Sequence, residues 1–131
     1  MKTFVLTAAA LGALVLLSVP AASLAADAAN GQAQFRGQCG ICHTAGKDDG
    51  DGGQGPGLAG VIGRKAGGDP NFGGYTQAMT DDKDVWTEAN LAAFLENPQK
   101  VVPGTAMPIR VGSATDRADI AAYLATVKAA P

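Results

Sequence analysis

Three segments of the chain look helical from their pattern of apolar and polar residues and their capping residues. The first segment runs from about Ala28 to Cys39 and follows Asp27 or Asn30, residues of the type that cap a helix N-terminus. Within it, Phe35 is the large apolar side chain that we expect to face another helix. This pattern predicts a first helix over residues 28–39.

The second segment covers residues 87–96 and begins at Thr87, a plausible N-cap. Leu91, Phe94 and Leu95 follow one another at i, i+3 and i+4, which places them on one helical face. The segment stops at Asn97-Pro98, because a residue that precedes proline is pushed out of the helical region.

The third segment begins at Ser113, and the position of Asp116 three residues later resembles a capping box. Ile120 and Tyr123 then open an apolar stripe that repeats at intervals of three and four residues. A shorter helical turn is predicted within residues 75–80, and no segment alternates as a strand would. The sequence therefore predicts an all-α protein.

A glycine-rich stretch separates the first helix from the second. Residues 46–74 contain twelve glycines in 29 positions and few large side chains. A loop of more than about 12–15 residues in a compact domain is usually functional or disordered. Only 5% of the residues are aromatic, so three short helices would share a thin core. We expect another group to supply apolar surface.

The N-terminus has the pattern of a secretory signal peptide. Lys2 precedes an apolar stretch over residues 4–19, and Ser23-Leu24-Ala25 provides small residues at a cleavage site. An uncleaved membrane anchor is the alternative, because the stretch is nearly long enough to span a bilayer. Cleavage after Ala25 would leave residues 26–131 as one exported domain with a net charge of −3.

Charge and composition exclude several classes of protein. The whole chain has ten basic and twelve acidic side chains, so nucleic acid is not an expected partner. With two cysteines and one histidine, the chain is not a disulfide-rich scaffold. These residues alone are also too few for a four-ligand Cys/His zinc site.

The strongest motif is Cys39-Gly40-Ile41-Cys42-His43, a C-x-x-C-H pattern typical of c-type haem attachment. Two thiols at this spacing can each form a thioether to one haem vinyl group, and the next residue supplies an imidazole to the iron. A thioredoxin-like redox pair would need a βαβ context, which the pattern of the chain does not predict. A plain disulfide would not need His43, and a zinc site would have only three ligands.

A bound haem would need a sixth iron ligand, and the chain has no second histidine. The predicted mature chain has two methionines. Met107 lies between prolines in Pro103-Gly104-Thr105-Ala106-Met107-Pro108, which favours a fixed non-helical loop. Met79 lies at the end of a predicted helical turn, where methionine more often fills a core. We therefore favour Met107 as the ligand and Met79 as a packing residue.

Taken with this loop, the motif makes the chain resemble the class I cytochromes c of the mitochondrial and alphaproteobacterial soluble type. The resemblance covers nearly all of the predicted mature chain. The matching residues are Gly31, Phe35, Cys39, Cys42, His43, Gly55, Pro56, Gly57, Leu58, Gly63, Arg64, Lys65, Tyr75, Thr76, Trp86, residues 94–98, residues 103–108, Tyr123 and Leu124.

The resemblance implies a small cytochrome c fold with three main helices plus short turns wrapped around one covalent haem c. It implies that Pro56 offers its carbonyl to the ring of His43 and that His43 and Met107 ligate the iron. The implied partners of the haem propionates are Arg64, Tyr75, Trp86 and Thr105.

By the same resemblance, the protein would be a soluble periplasmic one-electron carrier and not an enzyme. It would pass electrons between respiratory or dehydrogenase complexes as a monomer, without stable membrane insertion of the mature chain. The rival functions are a peroxide-reducing enzyme, a gas-binding sensor and a permanent subunit of a larger redox complex.

The distribution of charged residues bears on the charge of the surface that a redox partner would present. Candidates for a basic docking rim are Arg36, Lys47, Lys65 and Lys100. Two acidic patches are predicted, one at Asp48, Asp49 and Asp51 and one at Asp81, Asp82 and Asp84. These patches argue against a partner with an acidic docking face.

Overall fold

The computed structural model describes residues 25–130. The predicted signal peptide, residues 1–25, lies outside the described residues except for Ala25, so cleavage there stays a prediction. Between Ala25 and Ala130, no helix is long and apolar enough to cross a membrane.

Five helices follow one another along the described chain. They are α1 (Ala28–Gln38), α2 (Gln77–Asp81), α3 (Glu88–Glu96), α4 (Pro98–Val101) and α5 (Ala114–Thr126). The all-α prediction is confirmed, because the sole β feature among the described residues is an isolated bridge between Lys65 and Val85. The three main helices lie where the apolar pattern placed them, and α2 overlaps the predicted short turn.

The caps that the sequence predicted are formed. The Asp27 carboxylate accepts hydrogen bonds from the backbone N–H groups of Ala29 and Asn30 at 2.9 and 3.1 Å, which starts α1. Thr87 and Asn90 form a reciprocal capping box at the start of α3. These caps satisfy N–H groups that have no partner inside their helix, so local sequence defines where the helices begin.

Helix α4 was not predicted. Asn97 has an extended backbone and ends α3, as expected for a residue that precedes proline. Its side chain then accepts a hydrogen bond from the Lys100 N–H at 3.2 Å, and Pro98 occupies the first turn of α4, where a missing N–H costs nothing. The same dipeptide therefore ends one helix and begins the next.

Helices α1 and α5 cross in close contact at Gly31. A Cβ atom at this position would lie 1.9 Å from the backbone oxygen of Asp119, so only glycine allows this approach. Beside the crossing, the Phe35 and Tyr123 rings pack with their centroids 5.8 Å apart. Phe35 thus faces another helix, as predicted, and that helix is α5.

The buried Asp119 carboxylate ties the same two helices together. It accepts hydrogen bonds from the Asp27 N–H at 2.7 Å and from the Asn30 amide at 2.6 Å. The first residues of α1 are thereby fastened to the middle of α5, in addition to the apolar packing.

Asp49 corrects the predicted acidic patch at residues 48–51. Its side chain is buried and accepts hydrogen bonds from Tyr123, from Gln32 at 3.0 Å and from Arg36. Burial raises the pKa of Asp49, but the hydrogen bonds from Tyr123, Gln32 and Arg36 and the Arg36 charge outweigh it and hold the pKa below its usual value. This carboxylate joins the loop after the C-x-x-C-H motif to α1 and α5.

Candidate cofactor and metal site

The helices and the glycine-rich segment enclose a cavity of about 360 Å³. Its wall includes buried core side chains such as Phe35, Trp86, Leu91 and Phe94. All nine residues that the sequence analysis placed at a haem line this one cavity. They are Cys39, Cys42, His43, Pro56, Arg64, Tyr75, Trp86, Thr105 and Met107.

The C-x-x-C-H motif continues α1 as a short turn. The Cys39 N–H donates to the Phe35 carbonyl at 2.8 Å, and the N–H groups of Cys42 and His43 donate to the Cys39 carbonyl at 3.0 and 2.9 Å. This turn places both cysteines and the histidine on the wall of the same cavity. The C-x-x-C-H spacing therefore brings the two thiols and the imidazole together at one cavity, as the sequence predicted.

The loop after the motif packs tightly beneath this turn. Gly50 has a φ of +99°, and a Cβ there would lie 2.1 Å from the His43 carbonyl oxygen. The Asp51 N–H donates to the Gly40 carbonyl at 2.7 Å, and the Gly55 N–H donates to the Cys42 carbonyl at 2.9 Å. Glycine at position 50 thus lets the loop close against the backbone of the motif.

The imidazole of His43 is oriented by its neighbours. The distance from its Nδ1 to the Pro56 carbonyl oxygen is 2.8 Å, and because a carbonyl can only accept, Nδ1 carries the proton. The Nε2 lone pair is then free to bind a metal. Burial lowers the pKa of His43, and the Pro56 hydrogen bond opposes this effect without cancelling it. The lowered pKa favours the neutral imidazole, which is the form that binds a metal.

Gly55 supports the same ring. A Cβ at this position would lie 2.3 Å from Cε1 and 2.6 Å from Nδ1 of His43. The imidazole therefore rests directly on the backbone of residue 55, and any larger residue there would displace it. The hydrogen bond to Pro56 and the steric contact with Gly55 together fix the orientation of the His43 ring.

The two cysteines are free thiols in the structure. Burial, with a smaller contribution from Cys42, raises the pKa of Cys39 to about 11, so its thiol is neutral at physiological pH. A buried neutral thiol facing an apolar cavity is a poor exchanger of disulfides, since the thiolate is the reactive form.

Both methionines of the described chain line the cavity. Met107 follows Thr105, whose hydroxyl accepts a hydrogen bond from the Met107 N–H at 3.4 Å. Thr105 is buried, and its carbonyl accepts a hydrogen bond from the Gln99 amide at 2.5 Å. The Met107 loop is thus held in place, whereas Met79 belongs to the short helix α2.

Arg64 and Tyr75 are polar residues of the cavity wall. The Arg64 guanidinium donates to the Gly57 carbonyl at 2.6 Å, which leaves other N–H groups available. The Tyr75 hydroxyl accepts a hydrogen bond from the Asp69 N–H at 3.2 Å, and burial raises the pKa of Tyr75, so the hydroxyl keeps a proton to donate. Donors of this kind suit carboxylates on a bound molecule.

Thr76 adds a donor that the sequence reasoning did not assign. Its hydroxyl is buried against the cavity and has no hydrogen-bond partner within the described chain. A buried hydroxyl without a partner is rare and costly, which indicates a missing partner group. Its place directly after Tyr75 in the sequence is the signal that could have suggested this role.

The four candidates for a basic rim do not line this cavity. Arg36, Lys47, Lys65 and Lys100 are all absent from its lining residues. The Arg36 side chain instead donates to the buried Asp49 carboxylate. The structure gives these cations no direct contact with the candidate site.

The residues present fit a covalently bound haem. The cavity offers two thiols and a neutral imidazole at one turn, a thioether sulfur on a separate loop, and donors for carboxylates. The unpartnered Thr76 hydroxyl and the Gly55 contact with His43 are the features of this structure that point to a bound group.

Comparison with known proteins identifies the family of this chain. A sequence model of the cytochrome c family matches residues 28–128. Cytochrome c2 of Rhodomicrobium vannielii is 42% identical over 119 residues, which are 90% of this chain and 92% of the relative. Cytochrome c of Tetrahymena pyriformis is 43% identical over 102 residues, which are 77% and 89% of the two chains.

Solved structures support the same assignment. Ferricytochrome c2 of Rhodopseudomonas palustris has a TM-score of 0.69 and 34% identity, covering 78% of this chain and 99% of its own. Cytochrome c2 of Rhodobacter sphaeroides has a TM-score of 0.71 and 27% identity, covering 81% and 99%. This chain therefore belongs to the cytochrome c family, whose members bind haem c covalently and carry electrons.

Proposed function

We propose that this chain is an exported, periplasmic one-electron carrier whose haem c iron is ligated by His43 and Met107. In this proposal Cys39 and Cys42 form the two thioether bonds. The observation that carries it is the shared cavity, where an oriented neutral imidazole and the sulfur of a braced methionine loop accompany both thiols. When bound, haem c supplies an iron that takes up and releases one electron.

The residues of the chain then have defined tasks. Pro56 and Gly55 keep the His43 ring in one orientation, which reduces the rearrangement that accompanies each change of charge. Arg64, Tyr75 and Thr76 offer donors to the haem carboxylates, in the company of Trp86 and Thr105. Apolar side chains of the wall would pack against the bound haem.

An electron carrier is favoured over a peroxide-reducing enzyme because the chain has no second histidine to act as an acid–base group. Catalysis of peroxide reduction needs an open iron position and an acid–base group, and the only histidine in the chain is His43. With His43 and Met107 both bound to the iron, neither position would be open to a substrate. The same argument applies to a gas sensor, unless Met107 dissociates.

Export follows from the predicted signal peptide. Cleavage after Ala25 would leave a mature chain that starts at Ala26, one residue before the Asp27 cap of α1. The mass of the purified holoprotein tests this directly, since residues 26–131 plus one haem and the full chain plus one haem differ by 25 residues. A retained segment would favour an anchored protein.

Absorption spectra of the purified protein test the ligands. We expect the far-red band of methionine bound to ferric haem, and no spectral shift of the reduced protein under carbon monoxide. A ready shift would contradict the closed site and favour a sensor or a peroxidase. No haem spectrum at all, from cells able to attach haem, would refute the proposal.

A pair of variants decides which methionine is the ligand. Met107→Leu should remove the far-red band and open the iron to carbon monoxide, because leucine has no sulfur to donate. Met79→Leu is the matched control, since it makes the same change in the other methionine of the cavity and should keep the band. Loss of the band in Met79→Leu alone would reverse the assignment.

A further inference from the structure

One peptide group beside the haem cavity is hydrogen-bonded to a polar side chain at each end. It joins Pro56 to Gly57, and its carbonyl oxygen is 2.8 Å from Nδ1 of His43. The N–H of the same peptide group, which belongs to Gly57, donates a hydrogen bond to the Asp69 carboxylate at 2.9 Å. The carboxylate, the peptide group and the imidazole therefore form an unbroken chain of two hydrogen bonds.

The Asp69 side chain is held in position by its own loop. Its Oδ1 accepts a hydrogen bond from the Asn71 N–H at 3.0 Å, while Oδ2 accepts the one from Gly57. The Asp69 N–H donates to the Tyr75 hydroxyl at 3.2 Å. The side chain is partly buried, and neither of the two ion pairs within residues 25–130 includes it. No salt bridge in this part of the chain therefore neutralises its charge.

The carboxylate lies on the other side of the peptide group from the haem cavity. His43 and Pro56 line that cavity, whereas Asp69 does not. Asp69 and Gly57 instead line a neighbouring pocket. The charge of Asp69 therefore reaches the imidazole through the peptide group and not by direct contact.

Hydrogen bonds in such a chain strengthen one another. A negative charge at the N–H polarises the peptide group and increases the negative charge on its carbonyl oxygen. The Pro56 oxygen then accepts a stronger hydrogen bond from Nδ1 of His43, which makes Nε2 a more electron-rich ligand. A more electron-rich ligand stabilises ferric iron relative to ferrous iron, and so favours the oxidised state of the protein.

We propose that Asp69 is a positioning residue that acts through the Pro56–Gly57 peptide group to strengthen the hydrogen bond on His43, and so lowers the reduction potential of the protein. The proposal rests on the haem ligation by His43 proposed above. It adds a charged side chain that does not line the cavity to the groups that hold the imidazole.

The test variant is Asp69→Asn, which keeps the size of the side chain and removes its charge. An amide has one oxygen for the two N–H groups that the carboxylate serves, so the contact with Gly57 is weakened or lost. The matched control is Asp51→Asn, which removes the same charge from an exposed residue of the loop after the C-x-x-C-H motif. The control keeps the backbone hydrogen bond from residue 51 to the Gly40 carbonyl.

The direct readout is the Nδ1 proton of His43 in the ferrous holoprotein. Because His43 is the only histidine in the chain, isotope-labelled histidine gives a single imidazole signal in the untagged protein. The NMR signal of this proton moves upfield as its hydrogen bond weakens. We expect an upfield shift in Asp69→Asn and none in Asp51→Asn.

Redox titration is the second readout. The reduction potential of Asp69→Asn should rise, so that the ratio of reduced to oxidised protein at a fixed ambient potential increases about threefold. The increase in Asp51→Asn should be smaller, because its charge is not hydrogen-bonded to the peptide group that His43 contacts.

The same position of the Nδ1 proton in Asp69→Asn and Asp51→Asn would overturn the proposal. A lower free energy of unfolding in Asp69→Asn without a shift of that proton would also refute it, since Asp69 would then only stabilise its loop. Asp69→Ser is a second variant, because its hydroxyl can still accept the residue 71 N–H but has no charge, and it should shift the proton in the same direction. The absence of a haem spectrum in the unmodified protein would instead refute the haem ligation itself.

Discussion

Replacing Gly31 by alanine tests the crossing of α1 and α5. The added Cβ would lie 1.9 Å from the Asp119 carbonyl oxygen and 2.9 Å from the Ile120 nitrogen. Both atoms belong to the backbone of α5, so they cannot rotate away as a side chain could. To reach an ordinary contact of 3.4 Å the helices would have to separate by about 1.5 Å.

Separation of the helices would also disturb the contacts beside the crossing. Overpacking costs about 1–3 kcal/mol. A hydrogen bond to a charged group such as Asp119 contributes about 1.5–3 kcal/mol, and part of that contribution is lost when the bond is weakened. Alanine recovers about 1 kcal/mol through its helix propensity. We therefore expect Gly31→Ala to lower the free energy of unfolding by about 1–4 kcal/mol.

The assay is guanidinium denaturation of the ferric holoprotein followed by circular dichroism, with the free energy of unfolding from linear extrapolation. Gly37→Ala is the matched control, because it lies in the same helix and its Cβ would meet nothing within 4 Å. That variant should be as stable as the unmodified protein or slightly more stable. If Gly31→Ala matched Gly37→Ala in stability, the steric argument would be wrong.

Other predictions concern the buried carboxylate and the imidazole. Asp49→Asn should lower the free energy of unfolding by about 1.5–3 kcal/mol, because Tyr123 and Gln32 lose a charged acceptor. Since the pKa of Asp49 is lowered by folding, the stability it contributes is present above about pH 4 and lost as the pH falls below that value, which acid titration of unfolding measures. Gly55→Ala should displace the His43 ring and shift the reduction potential, measured by redox titration.

Controls separate these effects from general damage. Asp48→Asn removes an exposed neighbouring charge and should change the free energy of unfolding by less than about 0.5 kcal/mol. Asp49→Asn should in addition reduce the loss of stability below about pH 4. Gly73→Ala, whose Cβ would meet nothing within 4 Å, should leave the potential unchanged. If Asp49→Asn behaved as Asp48→Asn, or Gly55→Ala as Gly73→Ala, the corresponding contact would not have the role assigned to it.

Local signals in the sequence were sufficient for the helix ends and for the attachment motif. Asp27 and Thr87 cap α1 and α3 through groups within three residues of themselves, so no distant part of the chain is needed to predict them. Helix α4 was missed because proline was treated only as the end of α3. The Asn97 side chain, which restarts the helix, was the available signal.

The chemistry of the site was also present in the order of residues. Cys39, Cys42 and His43 are close in sequence, and the turn that follows α1 makes them neighbours in space. Met107 was selected over Met79 because its flanking prolines indicate a fixed loop. That choice agrees with the bracing by Thr105 and awaits the variant test.

Contacts between distant segments were decided only by the tertiary structure. Asp49 looked like one of several surface acids, yet it receives a hydrogen bond from Tyr123, 74 residues away. The burial of the unpartnered Thr76 hydroxyl at the cavity likewise depends on segments that meet only after folding. A sequence records which groups a residue carries and what its near neighbours allow, whereas the burial of a carboxylate or a hydroxyl depends on packing across the whole chain.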